Sequence, residues 1–204
     1  MMNNKLIYQF SSSSSEGDKS MTDLLGGKGA NLAEMSLLGI NVPPGFTVTT
    51  EVCNYFMKHG HVPENFDEEL KQSLKNLEKT TYKIFDSDKK PLLLSVRSGG
   101  KISMPGMMDS ILNIGINDKN LESLASDFKD ERFALDSYRR LVQMYGNVVL
   151  NIEMDRFEAI LDNKKRIDGV EKDNEFNPDQ LRWIIDAFKT TCLLYTSPSP
   201  RDRH

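Results

Sequence analysis

Lys28 sits among glycines in the stretch "LLGGKGANLAEM", at the mouth of a segment with helical apolar spacing. Glycines on both sides let the backbone come close to a ligand, and a compact ammonium suits a phosphate oxygen. The start of the following helix adds free amides and the positive end of its dipole. The spacing is not that of the Walker loop, which needs four residues between its first glycine and Gly-Lys-Ser/Thr. Alone, the motif therefore reads two ways, as a phosphate cradle or as a structural turn. About 70 residues later Arg97 follows the apolar run "PLLLSV". A guanidinium at the carboxyl end of a strand lies where open α/β sheets hold their ligands, and it can grip phosphoryl oxygens in a bidentate way. Ser98, Gly99 and Gly100 come next, then "SMPGMMDS", where Gly106 allows close backbone approach and the methionines make a pliable cover. Taken singly, Met104, Met107 and Met108 read as core fillers, and Asp109 reads as the cap of the next turn before it reads as a metal ligand.

The other polar clusters carry less. Asp67, Glu68 and Glu69 fall in the first turn of a helix, where acids suit the dipole. Asp127, Asp130 and Glu131 read as a solvated edge, and no acid cluster with spacing for Mg²⁺ is visible. His59 and His61 flank a helix-ending glycine without a nearby acid or cysteine in sequence, and read as surface residues.

The elements that must position Lys28 and Arg97 follow from periodicity. Lys5 to Phe10 reads as a strand, and the serines from Ser11 to Ser15 with Glu16-Gly17-Asp18 as a solvated loop. A helix is expected to open after Gly29 and to end at Gly39; a strand covers "GFTVTT", and a helix carrying Val52, Tyr55 and Phe56 stops near Gly60. A further helix spans about Asp67 to Thr80, and "PLLLSV" is short enough to be a strand buried on both faces. From Asp118 the pattern is helical, with Ala134, Tyr138, Leu141, Val142 and Tyr145 on one helix, Phe157, Ile160 and Leu161 on another, and Leu181, Ile184, Ile185 and Phe188 on a third. The last opens on Asn177, Pro178 and Gln180, a capping box with proline in the first turn. The fold class is thus α/β (α+β), with an α/β lobe over residues 1–117, a helical subdomain over 118–190, and a tail over 191–204 that looks non-native or disordered, as in a truncated product.

Composition narrows the function classes. The chain has 204 residues, 38% hydrophobic, enough for one good core or one core with a smaller helical lobe. A formal charge of −4 argues against a general nucleic-acid or anionic-membrane surface. Cys53 and Cys192 suggest neither a disulfide frame nor a metal knuckle, so a reducing compartment, the cytoplasm, is expected. No apolar run reaches the roughly 18 residues of a membrane span.

Together, in this order, "LLGGKGANLAEM", "VPPGFTVTTE", "LLLSVRSG", "SMPGMMDSILNIGIND" and "RFALDSYRRLVQMYGNVV" closely resemble the amino-terminal nucleotide-binding domain of pyruvate, phosphate dikinase, from Lys5 to about Lys189. The resemblance implies an ATP-grasp lobe of a multidomain phosphotransferase with paired acceptors, which converts ATP, inorganic phosphate and pyruvate to AMP, diphosphate and phosphoenolpyruvate with Mg²⁺. The resemblance further implies a histidine carrier domain that shuttles the phosphoryl group and a homodimeric full-length enzyme. By motif match, Lys28 and Arg97 hold the ATP phosphates and act in catalysis, with Gly106 and Met108 in the loop covering them. Metal ligands, carrier histidine and pyruvate barrel are expected outside this chain, so the 204 residues alone are expected to be inactive. This chain departs from the family in carrying Gly100-Lys101 where alanine usually begins the loop. The alternatives are a catalytically inactive nucleotide-binding fragment, and a phosphoenolpyruvate synthase, against which the "SMPGMMDS" loop argues.

Overall fold

The computed structural model describes residues 5–99 and 110–196. The described residues divide into two compact units, residues 5–83 with 97–99, and residues 84–96 with 110–196.

In the first unit, β1 (Ile7–Ser11) is the middle strand of a three-stranded sheet, between β2 (Ser14–Ser15) and β3 (Gly45–Val48), and it runs antiparallel to both. The serines expected as a loop instead close a hairpin in which Phe10 pairs with Ser15 and Ser11 with Ser14. Hydrogen bonding replaces apolar burial there: the Gln9 amide donates to the Glu16 carboxylate at 2.6 Å, and the Glu16 amide donates to the Gln9 carbonyl at 3.0 Å. Successive side chains of a strand point to opposite faces. Tyr8 accordingly joins Leu25, Ala30 and Ala33 of α1 (Thr22–Leu37), while Ile7 joins Val52 of α2 (Thr50–His59), against which Phe66 and Leu70 of α3 (Phe66–Thr81) pack. The expected helix ends hold: just past α1 and α2, Gly39 and Gly60 take left-handed φ values of 72° and 75°.

β4 (Leu94–Arg97), which lies in the second unit as far as Val96, pairs with β5 (Ser110–Ile114). The expectation of burial on both faces is corrected: Pro91 and Leu92 are buried, but Ser95, Val96 and Arg97 are exposed. Burial on both faces needs helices covering both sides of a parallel sheet; among the described residues β4 belongs to a two-stranded ribbon.

The main core forms among α4 (Leu121–Phe128), α5 (Glu131–Val148), α6 (Met154–Asp168) and α7 (Pro178–Thr196). Leu181, Ile184, Ile185 and Phe188 are all buried, as their spacing predicts, and Phe157 and Leu161 face them from α6. The α7 capping box is reciprocal: the Asn177 amide donates to Gln180 Oε1 at 2.8 Å, and the Gln180 amide donates to Asn177 Oδ1 at 2.9 Å. The helix continues through Thr196, so the first part of the tail expected over residues 191–204 to look non-native or disordered is helical. Asp130, read as a solvated edge, caps α5 by accepting the Phe133 amide at 2.9 Å, and Glu131 pairs with Arg182 at 2.6 Å. Burial raises the pKa of the Tyr138 hydroxyl. Burial alone would lower that of Lys189, but its contacts with Asp118, at 2.5 Å, and Tyr138 outweigh this and leave it raised. No helix among the described residues is long and apolar enough to cross a membrane.

Candidate functional site

The helix expected to open after Gly29 begins earlier, at Thr22, and breaks inside the glycine motif. Gly26 has φ 68° and ψ 166°, a region essentially reserved for glycine, so α1 is two helical segments joined there. Lys28 thereby falls in the first turn of the second segment. Amides at a helix start lack an acceptor four residues back, and the dipole favours an anion. Gly29 meets a different need. A Cβ at this buried position would lie 2.6 Å from Thr47 Cγ2 and 3.0 Å from Thr47 Oγ1, so the missing side chain lets α1 seat against β3. Gly26→Ala and Gly29→Ala should each lower stability by about 1–3 kcal/mol, the first through backbone strain and the second through overpacking. Urea unfolding followed by circular dichroism measures both, and unchanged midpoints would contradict these roles.

The half-buried Lys28 reaches across the first unit: its Nζ donates to the Ser98 carbonyl at 3.0 Å, a contact between residues 70 positions apart. Ser98 directly follows Arg97, the last residue of β4. Since consecutive Cα atoms stand about 3.8 Å apart, the structure brings the Lys28 ammonium to the backbone next to Arg97, whose residue is exposed. An ammonium has three donors and a guanidinium five, with no acceptor on either. Each side chain on its own therefore suits an anion rich in oxygen. Gly106 and Met108, together with Gly100, Met104, Met107 and Asp109, lie outside the described residues.

Among the described residues, two hollows stand out, and neither is lined by Lys28 or Arg97. One, of about 270 Å³, lies in the first unit beside the serine hairpin and α3. The other, of about 340 Å³, lies in the second unit among Arg139, Arg140, Glu158, Asp162, Lys165 and Asp173. Several of its charges are paired: Arg139 pairs with the neighbouring Asp136 at 2.8 Å, and Lys165 pairs with Asp173 at 2.7 Å, which holds the lysine pKa above its ordinary value. Among the described residues no group of three or more histidine, cysteine, aspartate or glutamate side chains could hold a metal ion.

Sequence reasoning missed the Ser98 carbonyl and Thr47. A backbone acceptor has no residue-type signature, and the proximity of Thr47 to Gly29 follows from packing between α1 and β3.

The family profile described as "Pyruvate phosphate dikinase, AMP/ATP-binding domain" matches residues 22–87, which include Lys28 and end before Arg97. Relatives extend the match over both. The chain is 51% identical over 193 residues to a pyruvate, phosphate dikinase of Rickettsia conorii, covering 94% of this chain and 22% of the relative. Identity to the chloroplastic pyruvate, phosphate dikinase of Mesembryanthemum crystallinum is 45% over 190 residues, covering 93% of this chain and 20% of the relative. For the pyruvate, phosphate dikinase of Entamoeba histolytica it is 43% over 198 residues, 96% of this chain and 22% of the relative. The resemblance carried by the motifs is therefore real, it falls on the amino-terminal part of those proteins, and the phosphoenolpyruvate synthase alternative is not favoured. The chain spans about a fifth of the length of these curated relatives.

Proposed function

We propose that the chain, a homologue of the pyruvate, phosphate dikinases, is the ATP-binding part of such an enzyme, and that Lys28 and Arg97 hold the phosphates of the nucleotide. The contact of Lys28 with the Ser98 carbonyl carries the reading, because it joins the first motif to the end of β4. Phosphoryl transfer asks a protein mainly for positioning and neutralisation of charge. Lys28 supplies a point charge, Arg97 a planar fork for two oxygens, and the restarted helix of α1 its amides. Gly106 and Met108 belong, on this reading, to the loop that covers the phosphates.

The whole enzyme would convert ATP, phosphate and pyruvate to AMP, diphosphate and phosphoenolpyruvate through a phosphohistidine in a domain outside this chain. The same proposal includes an ATP-grasp lobe over residues 1–117 with a helical subdomain over 118–190, a homodimeric full-length protein and a cytoplasmic location. Mg²⁺ enters with ATP. The described residues offer no donor cluster that fits it, so no step through the metal is assigned to them.

A titration of the chain with adenosine, AMP, ADP and ATP by calorimetry tests the reading. Affinity is expected to rise with each added phosphate, and to fall with salt as screened charge contacts do. Equal affinity for adenosine and ATP would overturn it. The purified chain is expected to show no pyruvate-dependent turnover.

A further inference from the structure

The end of α2 gathers the two histidines that sequence reasoning left as separate surface residues. His59 lies in the last turn of the helix, Gly60 turns the chain back with its left-handed conformation, and His61 returns toward the helix. The ring centroids of His59 and His61 are 6.0 Å apart, and both histidines are exposed. Tyr55, one helical turn before His59, stacks on the His59 ring at 4.3 Å and meets the His61 ring edge-on at 5.5 Å, which restrains both imidazoles.

The tautomer of the neutral His61 ring follows from its partner. Its Nδ1 lies 2.9 Å from the Val62 carbonyl, and a carbonyl oxygen only accepts, so Nδ1 carries the proton. In the neutral ring the lone pair is then on Nε2. A histidine that donates one ring nitrogen to a backbone carbonyl and offers the other is in the state that metal ligands adopt. Two imidazoles on one ion, with metal to nitrogen bonds of about 2.0–2.1 Å, have ring centroids about 5 Å apart at a tetrahedral angle and about 6 Å at wider angles. The observed separation is within reach after small rotations of exposed side chains.

We infer that His59 and His61 form a two-imidazole site for a transition-metal dication of the Zn²⁺ or Cu²⁺ class, with water completing the coordination shell. The site lies on a different helix from Lys28, and it stands or falls apart from the nucleotide reading. Imidazole suits these ions, whereas Mg²⁺ prefers oxygen ligands.

Calorimetric titration of the untagged chain with ZnCl₂ and with CuSO₄, in a non-chelating buffer at neutral pH and without nucleotide, is the test. One ion per chain is expected. His59→Gln and His61→Gln should each weaken binding by about tenfold or more while leaving the thermal melt unchanged. MgCl₂ should give no comparable heat. Unchanged binding by the His59→Gln/His61→Gln double variant would overturn the site, as would loss of binding on Cys53→Ser or His204→Gln instead.

Discussion

A chain carrying Arg97→Ala is expected to bind ATP roughly 10- to 100-fold more weakly than the parent, and Lys28→Ala should fall in the same range. A hydrogen bond to a charged group contributes about 1.5–3 kcal/mol, and each 1.4 kcal/mol is a factor of about ten in affinity. Stability should hardly move in either variant. Arg97 is exposed, and the bond from Lys28 to the Ser98 carbonyl is an exposed one, so its loss belongs with surface changes of about 0.5 kcal/mol or less. Arg97→Lys should recover only part of the loss, because an ammonium cannot reproduce a fork on two oxygens. The two positions should also couple. If both cations engage one triphosphate, the double variant loses less or more than the sum of the singles, since residues that share a partner depart from additivity. Calorimetry on the four proteins measures this. Full retention of ATP affinity in both single variants would remove the site assignment, whereas strict additivity would mean two independent contacts.

Features written in adjacent residues were legible. Gly39 and Gly60 end helices because a left-handed residue is cheap only for glycine, and the Asn177 to Gln180 box forms because its donors and acceptors lie within one turn. The apolar face of α7 likewise needs only its own spacing. Features that depend on distant chain were not legible. The serines looked solvated, yet Phe10 and Ser15 pair because Gln9 and Glu16 bond in two ways across the hairpin. "PLLLSV" reads as buried by composition alone, but whether helices cover a strand is decided elsewhere in the chain. At the site, Lys28 and Arg97 stood out by residue type. Their approach through Ser98 did not, because it spans 70 positions and ends on a carbonyl that every residue has. The break at Gly26 rather than Gly29 is a fourth case. Two nearby glycines look alike in sequence, and only the backbone turn at one and the neighbouring Thr47 at the other tell them apart.

The largest loss of stability is expected from Phe157→Ala, at roughly 3–5 kcal/mol, the range for removing a buried phenylalanine. Phe157 is fully buried in the core of the second unit and meets Phe188 edge to face, with centroids 4.9 Å apart and planes at 77°. Its ring also rests against Gly146 of α5. A Cβ at Gly146 would collide with Phe157 Cζ and come within 3.2 Å of its Cε2 and 3.0 Å of Cys192 Sγ. The ring thus occupies the space that the glycine leaves open. Gly146→Ala should therefore destabilise by about 1–3 kcal/mol through overpacking, even though alanine favours a helix interior over glycine by up to about 1 kcal/mol. In the Phe157→Ala background the sign should change. The added methyl then points into a cavity and the collision with the ring is gone, so the helix preference acts against only the 3.0 Å approach to Cys192 Sγ, which the vacated space lets relax. The double variant should be more stable than Phe157→Ala alone, and a urea double-mutant cycle measures the coupling directly. Losses that simply add, to within about 0.5 kcal/mol, would show that Gly146 and Phe157 do not share that space.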